Sequence, residues 1–294
     1  MKFIDFSKTH KQPFEAFMLG TIKEDSGTQL EEAMRYSLKA GGKRLRPLIL
    51  FAVAKAFGQK VESIYAFGAA LEMIHTYSLI HDDLPAMDDD DLRRGIPTSH
   101  IQFSEATAIL AGDALLTKAF ELVTEGEASD EVKVKLVRLL AEDSGHAGMV
   151  GGQQADMNGE HKQLTVEELE SIHARKTGRL IHFAFYAGGL LSGVQTETLI
   201  DLKEMALALG IAYQIKDDIL DVEGDEKELG KRTGADAKLG KSTYPGLLGI
   251  SEAHRWFKDK LDLALTLNQQ IAERETTYDQ ELLASFVESF QFAE

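Results

Sequence analysis

Two clusters of aspartates have the residue type and the spacing to bind divalent cations. The first occupies residues 82–91 and holds six aspartates, and the second occupies residues 217–221 and holds three. Carboxylate oxygens are the hard ligands that Mg²⁺ takes, commonly one or two of them together with water and substrate phosphate. A single charge run is usually a solvated loop, but each cluster here follows an apolar segment, where repulsion between like charges is costly unless a cation offsets it. The two clusters therefore predict a Mg²⁺-binding protein.

Helix geometry identifies candidate ligands in the second cluster. Asp217, Asp218 and Asp221 end an apolar segment with helical periodicity. Residues four apart on an α-helix differ by about 40° in direction, so Asp217 and Asp221 share a face. The spacing predicts that these carboxylates bind a cation from a helix.

The first cluster does not fit a regular helix. Asp88 would lie about 240° around the helix from Asp82, whereas Asp89 would lie within about 20° of it. Pro85 stands between them, and because proline lacks an amide hydrogen the helix is expected to end or distort there. Spacing therefore leaves open whether Asp88 or Asp89 acts together with Asp82.

Basic residues are concentrated near these clusters although the chain is acidic overall. The formal net charge is −16, which disfavours nucleic acid and anionic membrane surfaces as general partners. Lys43, Arg44 and Arg46 nevertheless follow two glycines, and basic pairs occupy residues 93–94 and 231–232, after each acidic cluster. Backbone amides and guanidinium groups together suit a diphosphate. We therefore expect an anionic substrate bound by local cations and metal.

Composition excludes several other kinds of site. The chain has no cysteine, so disulfides, thiolate metal sites and cysteine nucleophiles are excluded, and a reducing compartment is compatible. The N-terminal residues lack the apolar core of a signal peptide, and the most apolar segments are too short to span a bilayer. We expect a cytoplasmic protein with no stable membrane insertion and no nucleic-acid partner.

The elements that position these residues are predicted to be helices. Apolar residues recur at helical spacing, and the alternation typical of strands is absent. The chain of 294 residues has five prolines, which favours long uninterrupted helices. The pattern predicts helices over residues 66–80, 103–123, 131–143, 166–173, 199–222 and 252–271. We predict one all-α domain spanning residues 1–294.

Taken in order, eight segments resemble the trans-prenyltransferase family of polyprenyl diphosphate synthases. They are spread over nearly the whole chain and occupy residues 41–47, 72–75, 81–95, 111–115, 151–156, 176–178, 214–221 and 240–245. The four residues between the aspartates of the first motif are similar to those of the bacterial farnesyl diphosphate synthase subgroup. The resemblance implies a single large helical bundle of the isoprenoid synthase type, with a central active-site cavity between two aspartate-rich helices.

The resemblance also implies an activity. Members of this family use Mg²⁺ to condense isopentenyl diphosphate head-to-tail with an allylic diphosphate, here dimethylallyl or geranyl diphosphate, by ionisation, condensation and elimination. A homodimer is implied as well. The alternatives are a geranylgeranyl diphosphate synthase of similar architecture and a non-catalytic regulatory subunit of a prenyl synthase. Such subunits tend to lose one aspartate motif, and both motifs are intact here.

Each candidate residue takes a role from the resemblance. The implied metal ligands are Asp82, Asp83, Asp88, Asp217, Asp218 and Asp221, with Asp83 in support. The implied contacts of the allylic diphosphate are Arg93, Lys176, Lys231 and Lys241. The implied contacts of isopentenyl diphosphate are Lys43, Arg46, His75 and Arg94. The implied catalytic residues are Lys176, Thr177 and Gln214, the last two lining the reacting carbons.

His75 and Tyr77 are also interpreted from their positions on the predicted helix. A histidine on an apolar helix is usually a core residue, but His75 lies about two turns before Asp82 and should point the same way. Tyr77 lies five residues before Asp82, below the carboxylates, where its ring would meet a growing prenyl tail. In the family, a bulky aromatic near this position accompanies farnesyl products. We predict that Tyr77 limits the length of the product.

Overall fold

A computed structural model describes residues 1–23, 27–224 and 241–292. Its helices are α1 (Phe3–Gly20), α2 (Gln29–Lys39), α3 (Leu45–Ala56), α4 (Tyr65–Asp82), α5 (Ser99–Gln102), α6 (Glu105–Glu125), α7 (Asp130–Ser144), α8 (Met149–Gly159), α9 (Val166–His173), α10 (Arg179–Leu191), α11 (Thr196–Glu223), α12 (Tyr244–Leu248), α13 (Ile250–Arg274) and α14 (Gln280–Glu288). A 3₁₀ turn at Val61–Ile64 precedes α4, and a π-turn at Ala174–Gly178 joins α9 to α10. The strands β1 (Leu92–Arg93) and β2 (Ile96–Pro97) form a short antiparallel hairpin. The all-α prediction is confirmed over these ranges.

Capping residues account for differences between predicted and observed helix ends. The helix predicted over residues 166–173 is confirmed at both ends, and Thr165 caps its first turn in a capping box. The prediction that a helix begins at Phe103 is wrong. The Ser104 hydroxyl accepts a backbone hydrogen bond from the first turn of α6 and sets the helix start two residues later.

Helix α4 lies in the core and carries the first aspartate cluster at its end. Its residues Phe67, Leu71 and Ile74 are fully buried, and it packs against α3 and α6. Burying a large apolar side chain contributes roughly 1.5–3 kcal/mol, so the direction in which α4 presents Asp82 is firmly held.

The buried apolar residues belong to one cluster that extends from Phe3 to Phe290. One domain over residues 1–294 nevertheless stays a prediction. Within the described ranges, no helix is long and apolar enough to cross a membrane.

Candidate active site

The first aspartate cluster begins at the end of α4 and continues into a loop that turns back. Asp82 is the last residue of α4. The Asp88 amide donates to the Asp82 carbonyl at 2.9 Å, and the Asp89 amide donates to the Leu84 carbonyl at 3.2 Å. Asp89 has a left-handed backbone conformation, with φ of 52°. Backbone folding, rather than helical periodicity, thus brings Asp88 to Asp82.

The Asp82 carboxyl group is poorly stabilised as an anion. Burial raises its pKa to about 6, Lys176 opposes that rise, and Asp88 adds to it. A divalent cation at Asp82 and Asp88 would offset both the burial and the repulsion, so these carboxylates fit a Mg²⁺ site. No three potential ligands converge on one point among the residues the structure describes. Mg²⁺ here would therefore also take oxygens from water or substrate, and the ligand assignment stays a prediction.

Asp83 is engaged by Arg93. The Arg93 Nε atom lies 2.8 Å from each oxygen of the Asp83 carboxylate, which is 3% exposed. The guanidinium also lies 3.8 Å from Asp90. The sequence predicted Asp83 as a supporting ligand and Arg93 as a diphosphate contact, and the structure joins the two in one ion pair. Asp83 therefore orients the Arg93 guanidinium.

The second aspartate cluster lies within α11, which continues without a break as predicted. Asp218 accepts a hydrogen bond from the Tyr244 amide at 3.0 Å, which ties α11 to the start of α12. Asp217 and Asp218 line a cavity of about 180 Å³ together with Lys176 and Lys241. The predicted carboxylates and cations of this region are thus brought together.

Two other residues, Asp221 and Lys231, also have predicted roles in this region. Asp221 is 4% exposed and lies one turn after Asp217 on α11. Lys231 falls outside the described residues, and its predicted role stays a prediction.

The π-turn at Ala174–Gly178 presents Lys176 and Thr177. Such turns are rare and often occur at functional sites. Two glycines let neighbouring backbones approach this turn. A Cβ atom on Gly152 would lie 2.3 Å from the backbone nitrogen of Lys176, and one on Gly210 would lie 2.8 Å from the Gly178 Cα. Close backbone packing by α8 and α11 therefore fixes this turn between the two aspartate clusters.

Lys176 and Thr177 each have a polar partner across the site. The Lys176 ammonium lies 2.5 Å from an Asp156 carboxylate oxygen, and the Thr177 hydroxyl donates to the Gln214 side-chain carbonyl at 3.3 Å. Asp156 is a site residue to which the sequence analysis gave no role. Its place in the segment 151–156, which contributes to the family resemblance, could have indicated a role. Gly152 in the same segment permits the close approach to Lys176.

A second, basic cavity of about 610 Å³ is lined by the four residues predicted for isopentenyl diphosphate: Lys43, Arg46, His75 and Arg94. The Arg46 Nη1 atom lies 3.3 Å from His75 Nε2. Because a guanidinium only donates, Nε2 accepts and Nδ1 carries the proton. Burial, and then the charge of Arg46, hold the pKa of His75 well below its ordinary value. The imidazole is therefore neutral beside the guanidinium.

Arg94 and Arg44 make different contacts around the glycine-containing segment 41–46. Arg94 donates to the Gly41 carbonyl, and its guanidinium occupies the space where a Cβ atom on Gly42 would lie. Arg44 is 4% exposed and forms ion pairs with Glu15 at 2.9 Å and Glu72 at 2.8 Å. Arg44, to which the resemblance gave no role, therefore holds this segment to the core.

A family model described as polyprenyl synthetase matches residues 27–282, most of the chain. The chain belongs to this family. It is 53% identical over 246 residues to the farnesyl diphosphate synthase of Bacillus subtilis (strain 168), covering 83% of this chain and 82% of the relative. The chain is accordingly a prenyltransferase enzyme.

Solved structures of this family show the same fold. The structure of an FPP/GFPP synthase from Zymomonas mobilis has a TM-score of 0.85 at 33% identity and covers 98% of each chain. A geranyltransferase from Helicobacter pylori, complexed with magnesium and isoprenyl diphosphate, has a TM-score of 0.82 at 32% identity, covering 99% of this chain and 98% of that chain. The prediction of an isoprenoid synthase fold is therefore confirmed.

The polyprenyl synthetase chain has a third cavity, of about 420 Å³, below the first aspartate cluster. Its lining includes Tyr77, Asp82, Met157, Lys176 and Thr177. The Tyr77 ring is 7% exposed, and burial, and then the charge of Asp82, raise the pKa of its hydroxyl to about 12. An uncharged ring thus lines a largely apolar cavity, as the predicted limit on product length requires.

Proposed function

We propose that this prenyltransferase is a Mg²⁺-dependent farnesyl diphosphate synthase. It condenses isopentenyl diphosphate head-to-tail with dimethylallyl diphosphate and then with geranyl diphosphate. One observation carries this proposal: Thr177 lines both the basic cavity of Lys43, Arg46 and Arg94 and the cavity that extends from Asp82 to Tyr77. Two prenyl diphosphates bound in these adjoining cavities would have their reacting carbons close together beside Thr177.

The charges around the Asp82 cavity suit ionisation of the allylic substrate. Mg²⁺ held by Asp82, Asp88 and the second cluster would supply positive charge to the departing diphosphate. Lys176, fixed by Asp156, adds a further cation at the same place. Preorganised charges of this kind act where charge develops in the transition state, and each typically contributes a factor of about 10² to 10³ in rate.

Thr177 and Gln214 act on the other product of ionisation, the allylic cation. Their hydrogen bond of 3.3 Å holds both oxygens in one place, where partial negative charge stabilises a cation. The low pKa of His75 makes it a weak base, and its Nε2 atom is occupied by the Arg46 guanidinium at 3.3 Å. The released diphosphate is therefore the acceptor of the proton that is lost after condensation. Apolar walls exclude water that would quench the cation.

The enzyme is further proposed to be a cytoplasmic homodimer with no stable membrane insertion. The absence of cysteine and the net charge of −16 support a reducing compartment without nucleic-acid partners. Ile109 and Leu110 on α6 are 43% and 56% exposed, and paired apolar residues of this kind suit a subunit contact. Sedimentation of the purified protein should give the mass of two chains, and a single-chain mass would contradict the dimer.

The decisive assay supplies isopentenyl diphosphate with each allylic starter, with and without Mg²⁺, and measures product length by mass spectrometry. Mg²⁺-dependent formation of farnesyl diphosphate is expected. Geranylgeranyl diphosphate as the main product would favour the alternative synthase. No condensation with any starter would refute the enzyme and favour the regulatory subunit.

Product length is tested separately at Tyr77. Tyr77→Ala opens the end of the cavity and is expected to shift the main product to geranylgeranyl diphosphate. Tyr77→Phe keeps the ring and serves as the matched control, with farnesyl diphosphate still dominant. An unchanged product spectrum in Tyr77→Ala would contradict the role of this ring.

A further inference from the structure

His81 lies between the first aspartate cluster and α6, and none of the roles above uses it. Its ring meets the Tyr77 ring in an edge-to-face contact, with centroids 5.7 Å apart and planes at 75°. Its Nε2 atom lies 3.1 Å from the Ile109 carbonyl oxygen and 3.9 Å from an Asp113 carboxylate oxygen. Because a carbonyl oxygen only accepts, Nε2 carries the proton and donates a hydrogen bond to the Ile109 carbonyl. His81 is therefore attached to α6 while it packs against Tyr77.

Gly112 leaves the room that this imidazole occupies. A Cβ atom on Gly112 would lie 2.2 Å from His81 Nε2 and 2.6 Å from its Cδ2 atom. Any other residue at this position would expel the ring from the α6 backbone. Residues 111–115 contribute to the family resemblance without an assigned role, and this contact supplies one for their glycine.

Tyr77 and His81 line the same cavity of about 420 Å³. A tyrosine ring that faces a growing chain can yield by rotating about its side-chain torsions unless its neighbours hold it. The contact with His81 opposes that rotation, because the imidazole is itself held by the hydrogen bond to Ile109. Two coupled rings thus form part of the wall of this cavity.

We propose that His81 is a positioning residue for product length. Gly112 leaves space for the His81 ring, and the Ile109 carbonyl holds it by a hydrogen bond. In this position His81 keeps the Tyr77 ring in the path of the growing prenyl chain in the cavity of about 420 Å³. This inference rests on the proposed function, because it requires that the cavity takes the growing prenyl chain.

The test measures the ratio of geranylgeranyl to farnesyl diphosphate made from isopentenyl and geranyl diphosphates in Mg²⁺. His81→Ala is expected to raise this ratio by about tenfold, the most that one edge-to-face ring contact is worth. Gly112→Ala should raise it similarly, because the added methyl displaces the imidazole without changing the residue beside Asp82. Asp113→Asn is the matched control and should leave the ratio unchanged, since the carbonyl bond remains.

A double variant distinguishes whether His81 acts by positioning Tyr77 or by contacting the growing chain itself. If His81 acts through Tyr77, then Tyr77→Ala/His81→Ala should give the product spectrum of Tyr77→Ala alone. Still longer products from the double variant would overturn the proposal, because His81 would then limit the chain directly and not through Tyr77. An unchanged ratio in both His81→Ala and Gly112→Ala would also overturn it. Failure of the unaltered enzyme to condense these substrates would instead refute the proposed function.

Discussion

The two aspartate clusters both begin with a pair of adjacent aspartates, but the backbone holds them in different ways. In the first, α4 stops at Asp82, and hydrogen bonds within a loop return Asp88 to it. In the second, α11 continues unbroken through Asp217 and Asp221. A cluster on a helix is fixed by the backbone of its own segment, whereas a cluster in a loop needs contacts from elsewhere. The Arg93 side chain supplies such a contact to the first cluster.

Within each pair, the second aspartate has a partner in the protein. Asp83 and Asp218 are each 3% exposed, the first bound to Arg93 and the second to the Tyr244 amide. The first aspartates, Asp82 and Asp217, line cavities of the site, and Asp218 lines the same cavity as Asp217. Different backbones therefore reach a similar anchoring of the second carboxylate in each pair.

The largest effect is expected from Asp82→Ala. Loss of this carboxylate removes a predicted Mg²⁺ ligand, so kcat/KM should fall by at least about a hundredfold. Asp90→Ala, in the same acidic loop, is the control and should reduce kcat/KM by less than about tenfold, because the Asp90 carboxylate is 54% exposed and lies 3.8 Å from Arg93. Steady-state kinetics with geranyl diphosphate measures both. Equal losses would mean that the loop acts through its total charge rather than through Asp82.

Helical periodicity was sufficient for the second cluster and insufficient for the first. Asp217 and Asp221 follow from a repeat that is local to α11. The position of Asp88 relative to Asp82 depends on backbone hydrogen bonds after Pro85 and on a left-handed residue, which no period describes. The partnership of Asp156 with Lys176 was missed for a related reason, because it joins two helices that are brought together only by tertiary packing.

A smaller effect is expected at the π-turn, which presents Lys176 to the cavities of both clusters. Gly152→Ala places a methyl group 2.3 Å from the backbone nitrogen of Lys176, so the turn must shift. Overpacking of this kind costs about 1–3 kcal/mol, and displacement of Lys176 should lower kcat by about tenfold or more. Gly20→Ala is the matched control, because no atom of residues 1–23, 27–224 or 241–292, apart from its chain neighbours and the backbone of its own helical turn, lies within 4 Å of its added Cβ. Calorimetry and single-turnover rates that match the unaltered enzyme would show that the turn adapts without consequence.

The anchoring aspartates provide the next comparison. Asp83→Asn removes the charge that the half-buried Arg93 fork requires, and the free energy of unfolding should fall by about 2 kcal/mol. Asp218→Asn keeps an oxygen that can accept from the Tyr244 amide, so its loss should be smaller, about 1 kcal/mol. Denaturant unfolding measures both. A larger loss in Asp218→Asn would show that the helical cluster depends on its partners more than the loop cluster does.

The smallest effect concerns acid stability beside the second cluster. His173 faces Asp156, Lys176 and Lys241, and its ring stacks on Tyr244 with centroids 5.7 Å apart. Burial, with the two lysines adding to it and Asp156 opposing it, lowers the pKa of His173 from 6.5 to about 4. The unfolded chain therefore binds more protons than the folded chain between these values, and stability falls as pH drops below 6.5.

His173→Phe keeps the ring stacked on Tyr244 and removes the titrating group. Neither ring nitrogen of His173 has a hydrogen-bond partner among the described residues, so the substitution should cost little at pH 7.5. At pH 5.5 the unaltered protein should have lost about 1 kcal/mol that the variant retains, since one pH unit below the unfolded pKa corresponds to about 1.4 kcal/mol. Denaturant unfolding at the two pH values measures this difference. The control is His254→Phe, which replaces a half-exposed histidine paired with Glu223. Parallel acid losses in the unaltered protein and in His173→Phe would show that the imidazole beside the second cluster is not held neutral by its surroundings.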